Sequence, residues 1–269
     1  MASERPPGCV FCGVACERPD NYVPVDTTVL PTLAFANAEN FRVLLDNAPL
    51  ADGHVLVVPQ RHIRTLGEAS EAEVEELERL IAWLSSGMRA LSGHEPLLFE
   101  HGTADDASAA VAVDGSSCCL VHAHLHVVPS AVNVVADLEG MGARHLATVG
   151  RLSDLRAARG RDYLFVRVPA DDGRIYDADG LPSQLMRRFA AGEKVTLWNW
   201  KDRLMLSDPV ALAEDVARGA RRLTDSLAAA NGSGAAPAEL VWPRPRGEAH
   251  DRSRAVVSRR MSRATARSR

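Results

Sequence analysis

The sequence lacks any run of 18 uncharged apolar residues, so it predicts no membrane span. Its first residues, MASERPPGCVFC, lack the basic and apolar segments of a secretory signal. Cysteine is scarce and odd in number: there are five, and Cys118 and Cys119 are adjacent. This is a poor disulfide framework, which indicates a reducing setting. We therefore expect a cytoplasmic protein with no membrane partner.

Apolar residues are plentiful by contrast, at 46% of 269 residues, which is enough for a sizeable core. Charge is unevenly spread. Residues 241–269 hold nine Arg against one Glu and one Asp, a net of +7, so residues 1–240 carry −11 of the total of −4. Together with the preceding NGSGAAPA, this composition predicts a disordered basic tail over residues 231–269. Weak contact with nucleic acid or another polyanion, and a solvated tail without a partner, both stay open.

The first half of the chain reads as short strands around one long helix. A hairpin is predicted from strands at residues 41–45 and 54–58, with Pro49, Asp52 and Gly53 in the turn. A helix follows, starting at the capping-box pair Ser70 and Glu73 and ending at Gly93. Its apolar positions recur at steps of three and four: Val74, Leu77, Ile81, Leu84, Met88 and Leu91.

The second half predicts a hairpin with strands at residues 163–168 and 174–177. A short helix in LPSQLMRRFAAGEK places Leu185, Met186 and Phe189 inward. A longer helix is predicted with Asp208 as its cap, Pro209 at its first position and an end at Asn231 and Gly232.

Three histidines in the stretch CCLVHAHLHVVPS are spaced two residues apart. Because side chains alternate between the faces of a strand, His122, His124 and His126 share one face. The intervening residues share the other face and can pack inward. A solvated strand surface is one interpretation. A cluster that binds metal or phosphate, or performs acid–base and nucleophilic work, is the other, and it gives a reason for grouping imidazoles.

The segment HAHLHVV resembles the signature of the histidine triad (HIT) superfamily. The resemblance extends upstream to DNAPLADGHVLVVPQRH, with its Gly-His and Pro-x-x-His, and to FEHG, and it covers about residues 9–130. It implies an α+β, HIT-like fold: an antiparallel sheet with a long helix, to which a C-terminal hairpin and helix extension is added here. It also implies a homodimer. The predicted division is a HIT domain at residues 1–150, an extension packed on it at 151–230, and the tail at 231–269.

The resemblance also implies cleavage at the α-phosphate of a small nucleotide substrate, such as a dinucleotide or a phosphoramidate. His124 would be the nucleophile and form a covalent nucleotidyl-histidine. His126 would donate to phosphate oxygens. With His122 and Glu100 these residues form the predicted catalytic set, and no cofactor is expected for the chemistry. His54 and Asp46 would bind the nucleotide, Asp46 through ribose hydroxyls.

Glu100 departs from the better-known branches of the family, which place Asn or Gln there. A carboxylate near a phosphate is repulsive unless it is protonated or turned toward a cation or imidazole. Glu100 is therefore a general acid, a group that orients a histidine, or a displaced structural residue, and these alternatives stay open.

Cys9 and Cys12 form a Cys-x-x-Cys pair. Alone it fits half a zinc site, a redox pair or coincidence, although no thioredoxin-like pattern surrounds it. The resemblance supplies the remaining ligands of a structural zinc, namely His62 of Pro-x-x-His and His122.

Other functions remain as alternatives to hydrolysis. A nucleotidyltransferase or phosphorylase would use the same intermediate but hand the nucleotide to phosphate or a sugar phosphate. A non-catalytic nucleotide-binding protein is disfavoured by the intact triad. Aprataxin-like processing of DNA ends is weakly favoured by the basic tail and disfavoured by the acidic body. In the extension, Ser183, Gln184 and Trp198 either pack the extension or reach the nucleotide or the dimer partner.

Overall fold

The computed structural model describes residues 9, 11–12, 34–104, 122–182, 184–192 and 195–231. The predicted basic tail, apart from Asn231 itself, lies outside these residues, as do Ser183, Cys118 and Cys119. None of the helices among the described residues is long and apolar enough to cross a bilayer.

The strands and helices of the described residues follow one another along the chain. In order they are β1 (Ala34–Asn37), β2 (Phe41–Leu45), β3 (Val55–Pro59), α1 (Glu71–Ser92), β4 (Leu97–Gly102), β5 (Leu125–Val128), α2 (Val134–Gly140), β6 (His145–Val149), β7 (Tyr163–Arg167), β8 (Gly173–Asp177), α3 (Leu185–Ala191), α4 (Trp200–Leu206) and α5 (Pro209–Asn231). Short 3-10 helices lie at Leu66–Glu68 and Leu152–Ala158.

Within the described residues the eight strands form one sheet in the order β1-β2-β3-β5-β4-β7-β8-β6, and every neighbouring pair is antiparallel. The predicted α+β class with an antiparallel sheet is therefore confirmed. The sheet runs across residue 150, because β6 pairs with β8 of the predicted extension. The division of the chain at that residue stays a prediction.

The β2–β3 hairpin is the strand-turn-strand that the sequence predicts. Its register pairs Leu45 with Val55 and Phe41 with Pro59. Gly53 in the turn has a φ of 84°, which a residue with a Cβ rarely adopts. The hairpin places His54 at the entrance to β3 and Asp46 just beyond β2.

Helix α1 covers one face of the sheet. Ser70 and Glu73 form the predicted capping box, and Gly93 ends the helix in the left-handed conformation. Helix α5 lies beside α1, close enough that a Cβ on Gly87 would meet the Leu227 side chain at 2.5 Å. Alternate residues of the strands pack under both helices, together with Ala123 just before β5; the strand residues include Leu125, Val127, Val55, Val57 and Leu98.

The opposite face of the sheet is covered by α2 and α3. Its core includes Leu97, Phe99 and Val128 from the strands, with Leu138 and Met186 from the helices. Phe99 and Leu56 are both register partners of His126 in β5. Since paired residues point to the same side of a sheet, His126 faces this second layer, which belongs partly to the C-terminal extension.

Candidate functional site

The three triad histidines enter the sheet from a loop. Strand β5 begins at Leu125, so only His126 lies in it, whereas the sequence predicts that all three histidines lie in one strand. The difference arises because the Ala123 N–H donates to the Ile63 carbonyl, outside the β-ladder, at 2.8 Å. All three side chains are buried: His122, His124 and His126 are 1%, 9% and 8% exposed. A solvated strand surface is thereby excluded.

The ring of His124 has its two nitrogens in different roles. Nδ1 lies 2.8 Å from the His122 carbonyl oxygen, which can only accept, so Nδ1 carries the proton. Burial lowers the pKa of His124, so the ring is neutral near pH 7. Nε2 therefore keeps a free lone pair, as a nucleophile requires.

His126 is oriented through a chain of hydrogen bonds that begins at a backbone amide. The Leu50 N–H donates to His54 Nδ1 at 3.2 Å, so neutral His54 carries its proton on Nε2. His54 Nε2 lies 3.0 Å from His126 Nδ1 and donates to it. His126 consequently bears its own proton on Nε2. The same backbone amide thus makes the far nitrogen of His126 a hydrogen-bond donor.

Aromatic contacts fix the planes of these rings. Phe99 stacks on His126 with ring centroids 4.3 Å apart and an interplanar angle of 12°. Phe11 packs against His124 at 5.1 Å and against His122 at 5.8 Å. Phe11 lies inside the Cys-x-x-Cys segment, so the N-terminal segment forms one wall of the site.

The site is kept neutral by burial. Burial lowers the pKa of His54 to about 4, against the opposing effect of Asp46, and it lowers the pKa of His126 well below its ordinary value. The positive charge of Arg203 in α4 also acts on His54. Uncharged imidazoles can share one small space without mutual repulsion.

His101 is a histidine of this site that sequence reasoning missed. It lies two residues beyond Phe99 in β4, so the two side chains share the face that carries His126. Burial lowers its pKa to about 4, against the opposing effect of Asp162. Side chains alternate between the two faces in the segment FEHG, so His101 follows onto the same face as Phe99 and could have been predicted from that spacing.

Asp46 lies next to His54 but is already occupied by other partners. One carboxylate oxygen, Oδ1, accepts from the Ala48 N–H at 2.8 Å. The other, Oδ2, forms a buried ion pair with Arg187 Nη1 at 2.8 Å and lies 3.6 Å from His54 Nε2. Arg187 belongs to α3, far along the chain, and no sequence pattern pointed to it. A ribose-binding role for Asp46 stays a prediction, and both of its oxygens would have to serve a second partner.

Glu100 points away from the triad. Because its neighbour Phe99 stacks on His126, Glu100 lies on the opposite, α1-facing side of β4. It is fully buried and accepts hydrogen bonds from the Leu66 N–H, at 2.9 Å, and from the Tyr163 hydroxyl. Burial raises the pKa of Glu100 to about 8. Of the three roles left open by the sequence, these contacts favour the structural one; its place in the catalytic set stays a prediction.

Cys9, Cys12, His62 and His122 converge in a second cluster beside the triad. Their ligand atoms all lie within 4.8 Å of one another. The Cys9 Sγ to His122 Nδ1 distance is 3.3 Å, and Cys12 Sγ lies 3.4 Å from His62 Nδ1 and 3.5 Å from His122 Nδ1. Sulfur and nitrogen ligands of a tetrahedral zinc are about 3.6 Å apart. His122 Nε2 donates to the Pro59 carbonyl at 2.9 Å, which leaves Nδ1 free to bind a metal. The residues present therefore fit a zinc ion.

Of the extension residues named from the sequence, Ser183 lies outside the described residues, and Gln184 and Trp198 bond to neighbours within the extension. The Gln184 side chain donates to Asn199 at 3.3 Å and accepts from the Trp200 N–H at 3.0 Å. The Trp198 carbonyl accepts from Arg187 at 3.1 Å. These contacts pack the extension against itself, and they hold the start of α3 in place.

Residues 27–132 match the sequence profile of the family described as "HIT domain". The chain therefore contains a segment that matches a HIT domain. No curated protein matches its sequence.

Solved structures with similarity to the HIT domain come from several bacteria. A Hit-like protein involved in cell-cycle regulation from Bartonella henselae is 16% identical over 46% of this chain and 77% of its own, with a TM-score of 0.34. A Zn-bound histidine triad family protein from Mycobacterium smegmatis is 24% identical over 45% and 73%, with a TM-score of 0.33. A HIT family hydrolase from Clostridium thermocellum is 21% identical over 46% and 91%, with a TM-score of 0.31.

The matched HIT-domain segment contains the triad, His54, His62 and Asp46, whereas two parts of the site lie outside it. Cys9 and Cys12 precede the segment and approach His122. Arg187 follows it and reaches Asp46. The HIT domain therefore supplies the histidines, and flanking residues complete their surroundings.

Proposed function

We propose that this protein is a nucleotide hydrolase that cleaves at the α-phosphate of a nucleoside phosphate derivative. The observation that carries the proposal is the fixed protonation of two neighbouring rings. His124 has its lone pair on Nε2, because Nδ1–H donates to the His122 carbonyl, and His126 has its proton on Nε2. A nucleophile and a hydrogen-bond donor thus stand side by side, with ring centroids 5.2 Å apart.

In the first step the His124 Nε2 lone pair attacks the α-phosphorus. A P–N bond forms, and the leaving group departs with the electron pair of its former bond to phosphorus. His126 donates its Nε2–H to a phosphate oxygen, where negative charge develops. The ring of His124 becomes positively charged, and its Nδ1–H remains held by the His122 carbonyl.

In the second step a water oxygen attacks the same phosphorus. The P–N bond breaks, its electron pair returns to Nε2, and the water gives up a proton to the solvent. The nucleoside monophosphate leaves, and His124 is restored in its starting tautomer. Dividing the displacement into two steps lowers each barrier.

Zinc is the metal that this proposal assigns to the cluster of Cys9, Cys12, His62 and His122. Two thiolates and two neutral imidazoles are a donor set that zinc prefers, and burial lowers the pKa of His122 to about 4, which keeps it neutral. The metal's part is structural: it ties the N-terminal segment to His122. His122 is itself held by the bond from its Nε2 to the Pro59 carbonyl, and its own carbonyl accepts from the nucleophile His124.

The experiment that tests the function is a substrate panel with mass-spectrometric identification of products. The panel contains dinucleotides, nucleoside phosphoramidates and adenylyl sulfate, each with and without added phosphate. Release of free mononucleotide supports hydrolysis. Absence of any product, and of a mass increase corresponding to one nucleotide on the denatured protein, would remove the proposal.

A nucleotidyltransferase or phosphorylase is the second candidate, and burial of the triad favours it. His124 and His126 are less than a tenth exposed, and restricted water access protects a covalent intermediate from hydrolysis. In that case nucleoside diphosphate appears only when phosphate is present. The same panel separates the two activities.

A further inference from the structure

Arg187 is a buried cation of the C-terminal extension, and two of its three hydrogen bonds reach the HIT domain. It is 4% exposed. Nη1 donates to Asp46 Oδ2 at 2.8 Å, Nη2 donates to the Ala48 carbonyl, and Nε donates to the Trp198 carbonyl at 3.1 Å. Each nitrogen of the guanidinium has a partner in a fixed direction. A guanidinium used in this way orients groups of the protein and does not present a free charge to a ligand.

The partners of Arg187 lie in the turn that holds His54. Asp46 and Ala48 stand just before Leu50, whose N–H sets the tautomer of His54. Arg187 therefore binds the same short turn that orients His54. Helix α3, which contains Arg187, begins directly after Gln184. Gln184 adopts a left-handed conformation, with φ of 59°, and its side chain bonds to Asn199 and to the Trp200 N–H.

The charge of Arg187 matters because of where Asp46 points. Asp46 Oδ2 lies 3.6 Å from His54 Nε2 and 3.9 Å from His126 Nδ1. An unpaired buried carboxylate at that place would favour a proton on His54. The additional proton would sit on Nδ1, the nitrogen that already accepts from the Leu50 N–H. Two donors would then face each other, and the chain of bonds to His126 would lose its direction.

Arg187 offsets this charge at the same carboxylate oxygen. The other titratable or charged groups around His54 are the neutral imidazole of His126 and the guanidinium of Arg203 in α4. The ion pair of Arg203 with Asp215 is long, at 3.9 Å. Among these groups, Arg187 is the one in hydrogen-bond contact with Asp46. Asp46, His54 and His126 also form a set that could bind a metal, but the Arg187 guanidinium occupies the carboxylate oxygen that a metal would need.

We propose that Arg187 is a positioning residue. With Asp46 it holds His54, and through His54 it keeps the Nε2–H of His126 directed at the substrate phosphate. The C-terminal extension therefore contributes to the histidine site as well as to the hydrophobic core. The proposal rests on the proposed function for the part His126 plays, but the ring protonation it describes exists without substrate.

The test uses Arg187→Met, Arg187→Lys and the double variant Asp46→Asn/Arg187→Met in the full chain. Arg188→Met is the matched control, because Arg188 is the adjacent residue and is exposed. The double variant leaves no lone charge and keeps the test available if Arg187→Met fails to fold. The readouts are nitrogen-15 NMR of the histidine rings without substrate, and kcat and KM for the substrate identified by the panel.

The expected result is a mixed ring-nitrogen pattern for His54 and His126 in folded Arg187→Met, because the lone Asp46 charge favours a second proton on His54. The same pattern is expected in the folded double variant, because the turn that carries the Leu50 N–H is no longer held by Arg187. In Arg187→Met a fall in kcat of at least tenfold with KM changed less than about threefold should accompany it, since only transition-state contacts are lost. Arg187→Lys should recover part of the loss, and Arg188→Met should match the wild type.

An unchanged ring-nitrogen pattern in the folded double variant would overturn the proposal, even if thermal stability fell, because a merely structural pair would behave in that way. The NMR readout separates this failure from failure of the proposed function. If the wild type turns over nothing on the panel, the tautomers of His54 and His126 still decide whether Arg187 positions them.

Discussion

The Nδ1 atom of His124 lies 2.8 Å from the carbonyl oxygen of His122, two residues earlier in the chain. This contact joins the two clusters of the protein. The ring of His122 faces Cys9 and Cys12, while its carbonyl holds the proposed nucleophile. One residue therefore serves the candidate metal site with its side chain and the candidate catalytic site with its backbone.

Replacing His124 by Ala should abolish turnover, with a loss of at least about 10³-fold in kcat, because the nucleophile is removed. Nucleotide binding should persist, since His126 and His54 remain. Steady-state kinetics and binding titration measure the two effects. His145→Ala is the control, because His145 is an exposed residue of β6, and it should keep full activity. Normal turnover by His124→Ala would exclude the covalent mechanism.

Purified protein should contain about one zinc per chain by elemental analysis. A chelator should lower the melting temperature, because metal binding contributes to folding. Cys12→Ser should reduce the bound zinc and lower the melting temperature without chelator. Protein that is isolated without metal and responds neither to chelator nor to added zinc would contradict the assignment of Cys9, Cys12, His62 and His122.

The buried carboxyl of Glu100 should make stability fall as pH rises. Its pKa is raised by burial from the ordinary 4.5 to about 8, so the stabilisation it gives is complete below pH 4.5 and is lost as pH rises through 8. The slope is up to about 1.4 kcal/mol per pH unit in that window. The histidines, with lowered pKa values, act in the opposite direction, so the wild type must be compared with Glu100→Gln.

Urea unfolding at pH 5, 6, 7 and 8 measures this difference. Glu100→Gln should gain stability relative to the wild type as pH rises, since the amide never ionises. Glu39→Gln, at an exposed position, should follow the wild type. Parallel pH profiles for wild type and Glu100→Gln would show that the carboxyl ionises normally in the folded protein.

Gly219→Ala should destabilise the docking of α5. A Cβ there would meet the Gly53 backbone nitrogen at 2.8 Å, so the helix must move away from the β2–β3 turn. Overpacking of this kind costs about 1–3 kcal/mol, partly offset by the helix propensity of Ala. Gly140→Ala, where nothing lies within 4 Å, is the matched control and should be neutral or slightly stabilising. Equal unfolding free energies for the two variants would contradict this close approach.

Several elements escaped prediction because they are short or lack periodicity. Strand β1 has four residues, and β6 has only one buried residue, so neither shows a clear apolar alternation. Helix α2 is only seven residues long. These elements exist because the sheet offers them an edge or a face to pack on, which local sequence does not encode.

Features that depend on neighbours along the chain could be predicted from the amino-acid sequence. Capping of α1 by Ser70 and Glu73, the turn at Gly53 and the triad spacing are all local, and each is legible from side-chain chemistry and backbone geometry. The outline of the candidate site followed from these features and from the family resemblance.

The partners that those residues contact depend on how distant parts of the chain fold together. Asp46 and Arg187 are 141 residues apart and touch because α3 docks on the β2–β3 turn. Glu100 turns away from the histidines because the pairing of β4 with β5 assigns Phe99, rather than Glu100, to their face. The register of a sheet and the docking of a distant helix are fixed by burial summed over the whole core, so no single segment of sequence contains them.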